Sequence, residues 1–323
     1  MAQTDYTYAI ARIRFKETNL LSDSELDALL SAKGADDVAR ILKDKGWGDS
    51  ANSETYDELI SSEENKLWSF VKEILPDPAS YSFLLIQNDF HNLKVAVKAL
   101  TRDEKCDGML LYNAVTDPKL IVDAVSKREY DTLPDYLSEA CPKAMSTLLQ
   151  TSDGQLCDII IDRACLDYIH RLGKESESDI VKLYCEMFVA SGDIRIAVRC
   201  AKTKKPLDFI RRALADCDTL NVEKLAIASS HGYDEIIEYL RDTDYKSACD
   251  ALSDSVSSFE KWCDDYLIDV LRPQKWEPFS IGAVIGYIVA KSGEIKAVRM
   301  IFSAKLNDLD TDIIRERLRK SYV

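Results

Sequence analysis

Asn92-Leu93-Lys94, Asp193-Ile194-Arg195 and Glu294-Ile295-Lys296 are one pattern of amide or acid, aliphatic and base, written three times at a spacing of 101 residues. Each copy is followed by apolar, helix-compatible sequence: Val95-Ala96-Val97, Ile196-Ala197-Val198, Ala297-Val298. Each is preceded by another apolar segment: Phe83-Leu84-Leu85-Ile86, Tyr184 to Val189, Ile285 to Val289. A fixed period of this kind marks a repeat architecture. It predicts a symmetric scaffold rather than a chain built around one active site.

Working outward, a helical hairpin also recurs. Ala35 to Leu42 matches Tyr130 to Leu137 and Tyr233 to Leu240, each with apolar residues four apart: Val38 and Leu42, Leu133 and Leu137, Ile236 and Leu240. A third element, mixing aromatics with charges at helical spacing, runs Glu64 to Phe70, Asp162 to Tyr168 and Glu260 to Tyr266. Ser22-Asp23-Ser24-Glu25 is a capping box ahead of Leu26, Leu29 and Leu30. The chain opens with a hairpin, runs long helix plus hairpin twice, and ends with a long helix lacking its hairpin. The first and last segments therefore complete one repeat together, which predicts an all-α fold of three pseudo-symmetric helical repeats closed into a ring or cone. An open solenoid would leave two uncapped ends. The expected parts are 63–150, 158–253, and 256–323 completed by 8–50, with polar linkers at Asp49 to Glu54, Thr151 to Gly154 and Thr243 to Ser258.

Composition supports a folded body and excludes several classes of function. Apolar residues make up 46% of the 323, enough for a sizeable core. A formal net charge of −14, with no basic stripe interleaved with aromatics, argues against nucleic acid as a partner. The nine cysteines include no Cys-x-x-Cys pair and lie in apolar or helical stretches, so they read as reduced, mostly buried small hydrophobes of a cytosolic protein. No secretory signal pattern opens the sequence. The longest uncharged apolar run, Ile281 to Ala290, is about half of the ~20 residues a bilayer span needs, so no transmembrane segment is expected.

The anchors themselves are Asp89, Asn92, Asp193 and Glu294. On a helix, Asn92 shares a face with Asp89, Ala96 and Ala99, and small residues there let a neighbouring helix come close. A buried polar group on such a face needs a partner, since an unsatisfied one costs about 1–3 kcal/mol. Helix-packing hydrogen bonds repeated by pseudo-symmetry explain the set better than catalysis, because Asn, Asp and Glu interchange across it. Gly192 and Gly293, each after a Ser, predict a kink or a close helix contact. His91, His170 and His231 form no ligand cluster, and Cys165 with His170 is poorly spaced for one metal. Phosphate-binding glycine loops and a Gly-x-Ser-x-Gly elbow are lacking, so no cofactor is expected. The basic amphipathic end at Ile313 to Lys320, carrying Arg315, Arg317, Arg319 and Lys320, is either a charged terminal helix or a contact for an acidic partner or membrane surface.

Tyr8-Ala9-Ile10-Ala11-Arg12-Ile13-Arg14, the Leu20-Leu21 segment with its hairpin, Asp89-Phe90-His91-Asn92-Leu93-Lys94 and Lys291-Ser292-Gly293-Glu294-Ile295-Lys296 together resemble the C-type central-rotor component of V/A-type ATPases, whose eukaryotic counterpart is the d component of the V-ATPase. The resemblance covers essentially the whole chain. It implies an all-helical funnel of three pseudo-equivalent parts that performs no chemistry. It also implies that the funnel receives the tip of the central stalk, rests on the membrane rotor ring, and is peripheral to the cytoplasmic face of the membrane. Two other readings remain. A generic helical-repeat adaptor would bind a peptide on a concave face of an open superhelix. A helical hydrolase would gather carboxylates in one deep pocket.

Overall fold

The computed structural model describes residues 6–48, 55–102, 104–106 and 108–323. Among these residues there are helices and connecting segments and no strand, so the chain is all-α. It divides into two compact units, one of Met1–Pro76 with Asp254–Val323 and one of Asp77–Ser253. The first unit opens with α1 (Thr7–Glu17), α2 (Asp23–Ser31), α3 (Ala35–Asp44) and α4 (Tyr56–Ile74). Next come α5 (Ser82–Arg102), α6 (Pro118–Lys127), α7 (Asp135–Ser138), α8 (Ala140–Thr151) and α9 (Gly154–Glu175). They are followed by α10 (Asp179–Lys202), α11 (Leu207–Ala213), α12 (Val222–His231), α13 (Tyr233–Leu240) and α14 (Cys249–Asp254). The first unit resumes with α15 (Val256–Leu271), α16 (Ile281–Leu306) and α17 (Thr311–Arg317).

Local chemistry sets several of these boundaries. At the start of α2 the Glu25 carboxylate accepts from the Ser22 backbone N–H at 2.8 Å. At α4 both halves of a capping box form, Thr55 N–H to Glu58 at 2.8 Å and Glu58 N–H to Thr55 Oγ1 at 3.3 Å. Pro118 occupies the first turn of α6, where its missing N–H costs nothing, and Asp117 caps the Lys119 N–H.

The core of the first unit is built around α16. Its apolar run Ile281 to Ala290 is buried on nearly every side, which is why it shows no polar face. Helices α1, α3 and α4 from the beginning of the chain and α15 and α17 from its end pack against it. Phe70 meets Tyr287 edge-on at 5.9 Å, and Tyr56 stacks on Phe302 at 4.9 Å. The first and last segments of the chain therefore share one core.

In the second unit α9 packs on α5, α8 and α10. The α9–α10 approach is close: a Cβ on Gly173 would lie 2.7 Å from Cys185 Cβ, too near without a shift, and one on Gly192 would lie 3.0 Å from Leu166 Cδ2, so that leucine would have to yield. Helix α10 runs unbroken through Gly192, so that glycine serves a contact and not a break. Helix α16 also runs unbroken through Gly293, where a Cβ would meet nothing.

Three expectations need correction or delimitation. Tyr130 to Leu137 is not a helix matching Ala35 to Leu42. Arg128 turns the chain left-handed at φ 59°, Tyr130–Thr132 is a single 3-10 turn, and Pro134 delays α7, leaving it one turn long. Thr243 to Ser258 is not a plain linker, because Ala248, Cys249 and Leu252 bury themselves and draw Lys246–Ala248 and α14 into helical turns. The linker expected at 49–54 lies outside the described residues. Six of the cysteines are buried: Cys141, Cys157, Cys165, Cys185, Cys200 and Cys249.

Candidate functional site: polar anchors on the long helices

Three of the long helices, α5, α10 and α16, each carry a fully or almost fully buried polar residue at mid-length, beside a buried aliphatic: Leu93, Ile194 and Ile295. The aliphatic side chain of each contributes about 1.5–3 kcal/mol of burial. The polar neighbour accepts a hydrogen bond from the backbone of the segment that leads into a hairpin.

On α5, the Asn92 carboxamide bonds both ways with one residue, accepting from the Leu111 N–H at 2.8 Å and donating to the Leu111 carbonyl at 2.8 Å. Asp89, one turn earlier, accepts from the Val115 N–H at 2.8 Å, the Thr116 N–H at 2.9 Å and the Tyr136 hydroxyl at 2.7 Å. Asn88 donates to the Asn113 carbonyl at 2.6 Å, and His91 Nε2 lies 3.1 Å from the Met109 carbonyl. Burial raises the Asp89 carboxyl above its ordinary value, and the hydrogen bonds from Thr116, Tyr136 and Val115 oppose that.

On α10, Asp193 Oδ1 accepts from the Ala215 N–H at 3.0 Å, while its buried Oδ2 has no partner among the described residues. Its carboxyl is pushed up to about 8, first by burial and further by the charges of Asp167 and Asp216. Two turns earlier, Glu186 takes the Asp218 N–H, the Thr219 N–H and the Thr219 hydroxyl at 2.9, 2.8 and 2.6 Å. Thr219 lies 3.0 Å from the Tyr245 hydroxyl, as Thr116 lies 3.0 Å from that of Tyr136.

On α16, Glu294 Oε2 accepts from the Leu21 N–H at 2.5 Å, joining the last long helix to the segment entering α2. Its other oxygen receives Lys291 Nζ at 2.5 Å, which also lies 3.1 Å from Glu63 and 4.4 Å over the Trp47 ring. Burial raises the Glu294 carboxyl, and Lys291 pulls it back. Lys66 pairs with Glu63 at 2.9 Å, and Arg14 with the buried Glu17 at 2.7 Å. A buried ion pair of this kind adds little net stability, because desolvation offsets the attraction, but removing one partner is costly.

The anchors are thus acceptors for backbone amides, Asp89 and Asn92 on α5, Asp193 on α10 and Glu294 on α16, and each holds backbone of a segment close to its own helix. Among the described residues no group of His, Cys, Asp and Glu is arranged to hold a metal ion. The basic end is engaged within its own unit. Arg315 pairs with Asp27 at 3.2 Å and Asp312 at 2.9 Å, Arg319 with Asp264 at 2.9 Å, and Lys320 with Asp269 at 2.6 Å; Arg317 is exposed. Helix α17 stops at Arg317, so Leu318 to Lys320 is an extended strap and not an amphipathic helix.

Sequence reasoning missed Glu186, the Thr116–Tyr136 and Thr219–Tyr245 pairs, and the role of Lys291. One signal was present: Thr116 and Thr219 are 103 residues apart, the same offset that relates the second and third hairpins.

An all-helical chain with a polar anchor on each of three long helices, and with both ends in one unit, belongs to a recognisable class. The family described as ATP synthase (C/AC39) subunit matches residues 9–317, and this chain is a member of it. Among curated relatives, the C component of the V-type sodium ATPase of Enterococcus hirae is 22% identical over 317 residues, covering 96% of this chain and 97% of its own length. The C component of the A-type ATP synthase of Methanocaldococcus jannaschii is 22% identical over 348 residues, covering 97% and 86%. That of Haloferax volcanii is 22% identical, covering 96% of each.

Proposed function

We propose that this chain is a non-catalytic part of the central rotor of a V/A-type ATPase or ATP synthase. It couples the central stalk to the membrane rotor ring, so that ATP synthesis or hydrolysis is linked to proton or sodium transport. The observation that carries the proposal is family membership along almost the whole chain, residues 9–317. In this reading the chain is a funnel of three pseudo-equivalent parts, about 63–150, 158–253, and 256–323 completed by 8–50. It grips the stalk tip at one rim, rests on the ring at the other, and is peripheral to the cytoplasmic face of the membrane. No helix among the described residues is long and apolar enough to cross a membrane, in keeping with attachment through the complex.

Two features support a torque-bearing body. The long helices end alike: Glu104 N–H bonds the Ala99 carbonyl, Lys205 N–H that of Cys200, and Leu309 N–H that of Ala304, at 2.9, 3.0 and 3.0 Å. Ion pairs also tie long helices to their neighbours. Lys98 on α5 bridges to Asp158 on α9 at 2.7 Å, and Arg299 on α16 bridges to Glu64 on α4 at 2.9 Å. A stiff body with two separated contact surfaces transmits torque without moving parts.

The test is binding of the purified chain to the stalk and ring proteins across ionic strength, with ATP hydrolysis by the isolated chain as control. Binding at low salt that weakens as salt screens the charged rims is expected. Intrinsic ATPase activity, or no affinity for either partner at low salt, overturns the reading.

A further inference from the structure

The end of α10 has the wrong charge for its surroundings. Between Asp193 and Asp208 the chain carries Arg195, Arg199, Lys202, Lys204 and Lys205 and not one acidic residue, in a protein whose net charge is −14. Arg199, Lys202 and Lys204 are exposed, and none has a carboxylate partner among the described residues. Lys202 lies over the Tyr233 ring at 5.4 Å and Lys205 over that of Phe209 at 4.8 Å, so both stems are held against aromatic surface, and the half-buried Lys205 donates to the Gln155 side-chain carbonyl rather than to a carboxylate.

Cations at a helix C-terminus favour the dipole, which accounts for some of this charge. It does not account for Lys204. The chain closes α10 with a Schellman turn, Lys205 N–H to Cys200 and Lys204 N–H to Ala201, and Lys204 stands at its left-handed position with φ 52°. Glycine is the default there because a Cβ is strained. Helix α16 closes with the longer of these two bonds, Leu309 N–H to Ala304, and its left-handed residue is Asp308, φ 50°, followed by Asp310 and Asp312. Two equivalent helix ends thus place a charged residue where glycine would be more stable, and the two charges are opposite.

We propose that Arg199, Lys202, Lys204 and Lys205 form a docking surface for a carboxylate-rich surface of a partner protein. Charge complementarity selects that occupant. A nucleic acid duplex or an anionic bilayer is a stiff or planar array of charge and would also face the acidic body, whereas carboxylates on a local patch or a flexible chain meet the four cations within a Debye length of about 8–10 Å. The opposite charges on the two helix ends would let a partner without symmetry tell one repeat from another. The inference is independent of the rotor reading, since it concerns the chemistry of the surface alone.

The experiment uses the full chain with poly-L-glutamate as probe, and phosphatidylserine–phosphatidylcholine vesicles in parallel, at low and at physiological salt. Wild type is expected to bind poly-L-glutamate at low salt and release it as salt rises. The triple variant K202E/K204E/K205E is expected to lose about tenfold or more in affinity. The charge-matched control K119E/K127E/R241E, also on exposed residues of this unit, is expected to stay near wild type. Lys204→Gly separates docking from folding: it should raise Tm by relieving the left-handed strain and still weaken binding. Equal losses in both triples, tighter binding to vesicles than to polyglutamate, or a Lys204→Gly chain with unchanged affinity would each overturn the proposal.

Discussion

The segment 109–116 on α5 and the segment 214–220 on α10 are held by the same device and turn opposite faces outward. In each, a mid-helix residue takes one backbone amide, Leu111 or Ala215. A carboxylate nearer the helix start takes the amides of a residue pair ending in threonine: Asp89 for Val115 and Thr116, Glu186 for Asp218 and Thr219. Yet Met109, Leu111, Tyr112 and Val115 are exposed, Tyr112 by 65%, while Leu214, Ala215 and Leu220 are buried. Pinning through backbone atoms fixes where a loop lies and leaves its side chains free to differ. The chemistry of the pin differs too. An amide both donates and accepts, so Asn92 satisfies Leu111 completely. A carboxylate only accepts and its acid form carries a single donor, and whichever form it takes Asp193 has one buried oxygen unpartnered among the described residues.

The harshest way to break this comparison is at the third anchor, where the pinned segment comes from the other end of the chain. Glu294→Ala strands the Leu21 N–H and leaves Lys291 facing Glu63 alone, which should cost about 3–5 kcal/mol. Urea unfolding measures the loss. Hydrogen exchange should show protection falling both around Leu21 and along Ile281 to Phe302. A loss below about 1 kcal/mol would mean that Glu294 does not pin the first segment to the last.

Next in size is Asn92→Asp, which gives α5 the pin of α10. It forfeits the bond to the Leu111 carbonyl and buries a carboxylate beside Asp89, for an expected cost of about 2–3 kcal/mol at neutral pH. Amide exchange should quicken across 109–116 and stay unchanged across 214–220. Equal quickening in both segments would show that the two pins are not independent.

The reverse exchange, Asp193→Asn, is a matter of pH. The folded carboxyl titrates near 8, well above the ~3.9 of an unfolded aspartate. Between those values the folded state holds a proton that the unfolded state has released. Its contribution is complete at acid pH and is lost as pH rises, at no more than about 1.4 kcal/mol per pH unit, with no further loss above about 8. Asp89 and Glu294 are also raised and slope the same way, so the readout is the difference between wild type and variant. Unfolding at pH 5, 6, 7 and 8.5 should show the variant gaining on wild type with each step. Parallel curves would place the Asp193 proton elsewhere.

The anchors were legible because their side chains repeat at a constant period. The segments they hold were not, because Gly108 to Thr116 and Leu214 to Leu220 share no pattern: they are gripped through N–H and C=O groups that every residue except proline possesses. Glu186 was hidden for a related reason. It precedes Asp193 by seven residues, whereas Asp89 precedes Asn92 by three, so two different turns of helix reach equivalent threonine amides. The hairpin at Tyr130 to Leu137 kept its apolar spacing, but Pro134 and the left-handed Arg128 outweighed it. The strap at Leu318 to Lys320 was unreadable because its partners, Asp264, Asp265 and Asp269, lie about 50 residues earlier.

The smallest expected effect is the finest test of equivalence. Thr116 and Thr219 each sit 3.0 Å from a tyrosine hydroxyl, but Thr219 also donates directly to Glu186 at 2.6 Å. Replacing either with valine keeps the β-branched shape and removes only the hydroxyl. Thr116→Val should cost about 1 kcal/mol, the net worth of one ordinary hydrogen bond. Thr219→Val should cost somewhat more, about 1.5 kcal/mol, because a bond to a carboxylate is stronger. Its half-exposed position lets water recover part of that difference. Because the two sites share no hydrogen-bonding partner, the double variant should show the sum to within about 0.5 kcal/mol. A larger departure would reveal that the two loops are strained against each other, and the two would then be one coupled element instead of two copies of one device.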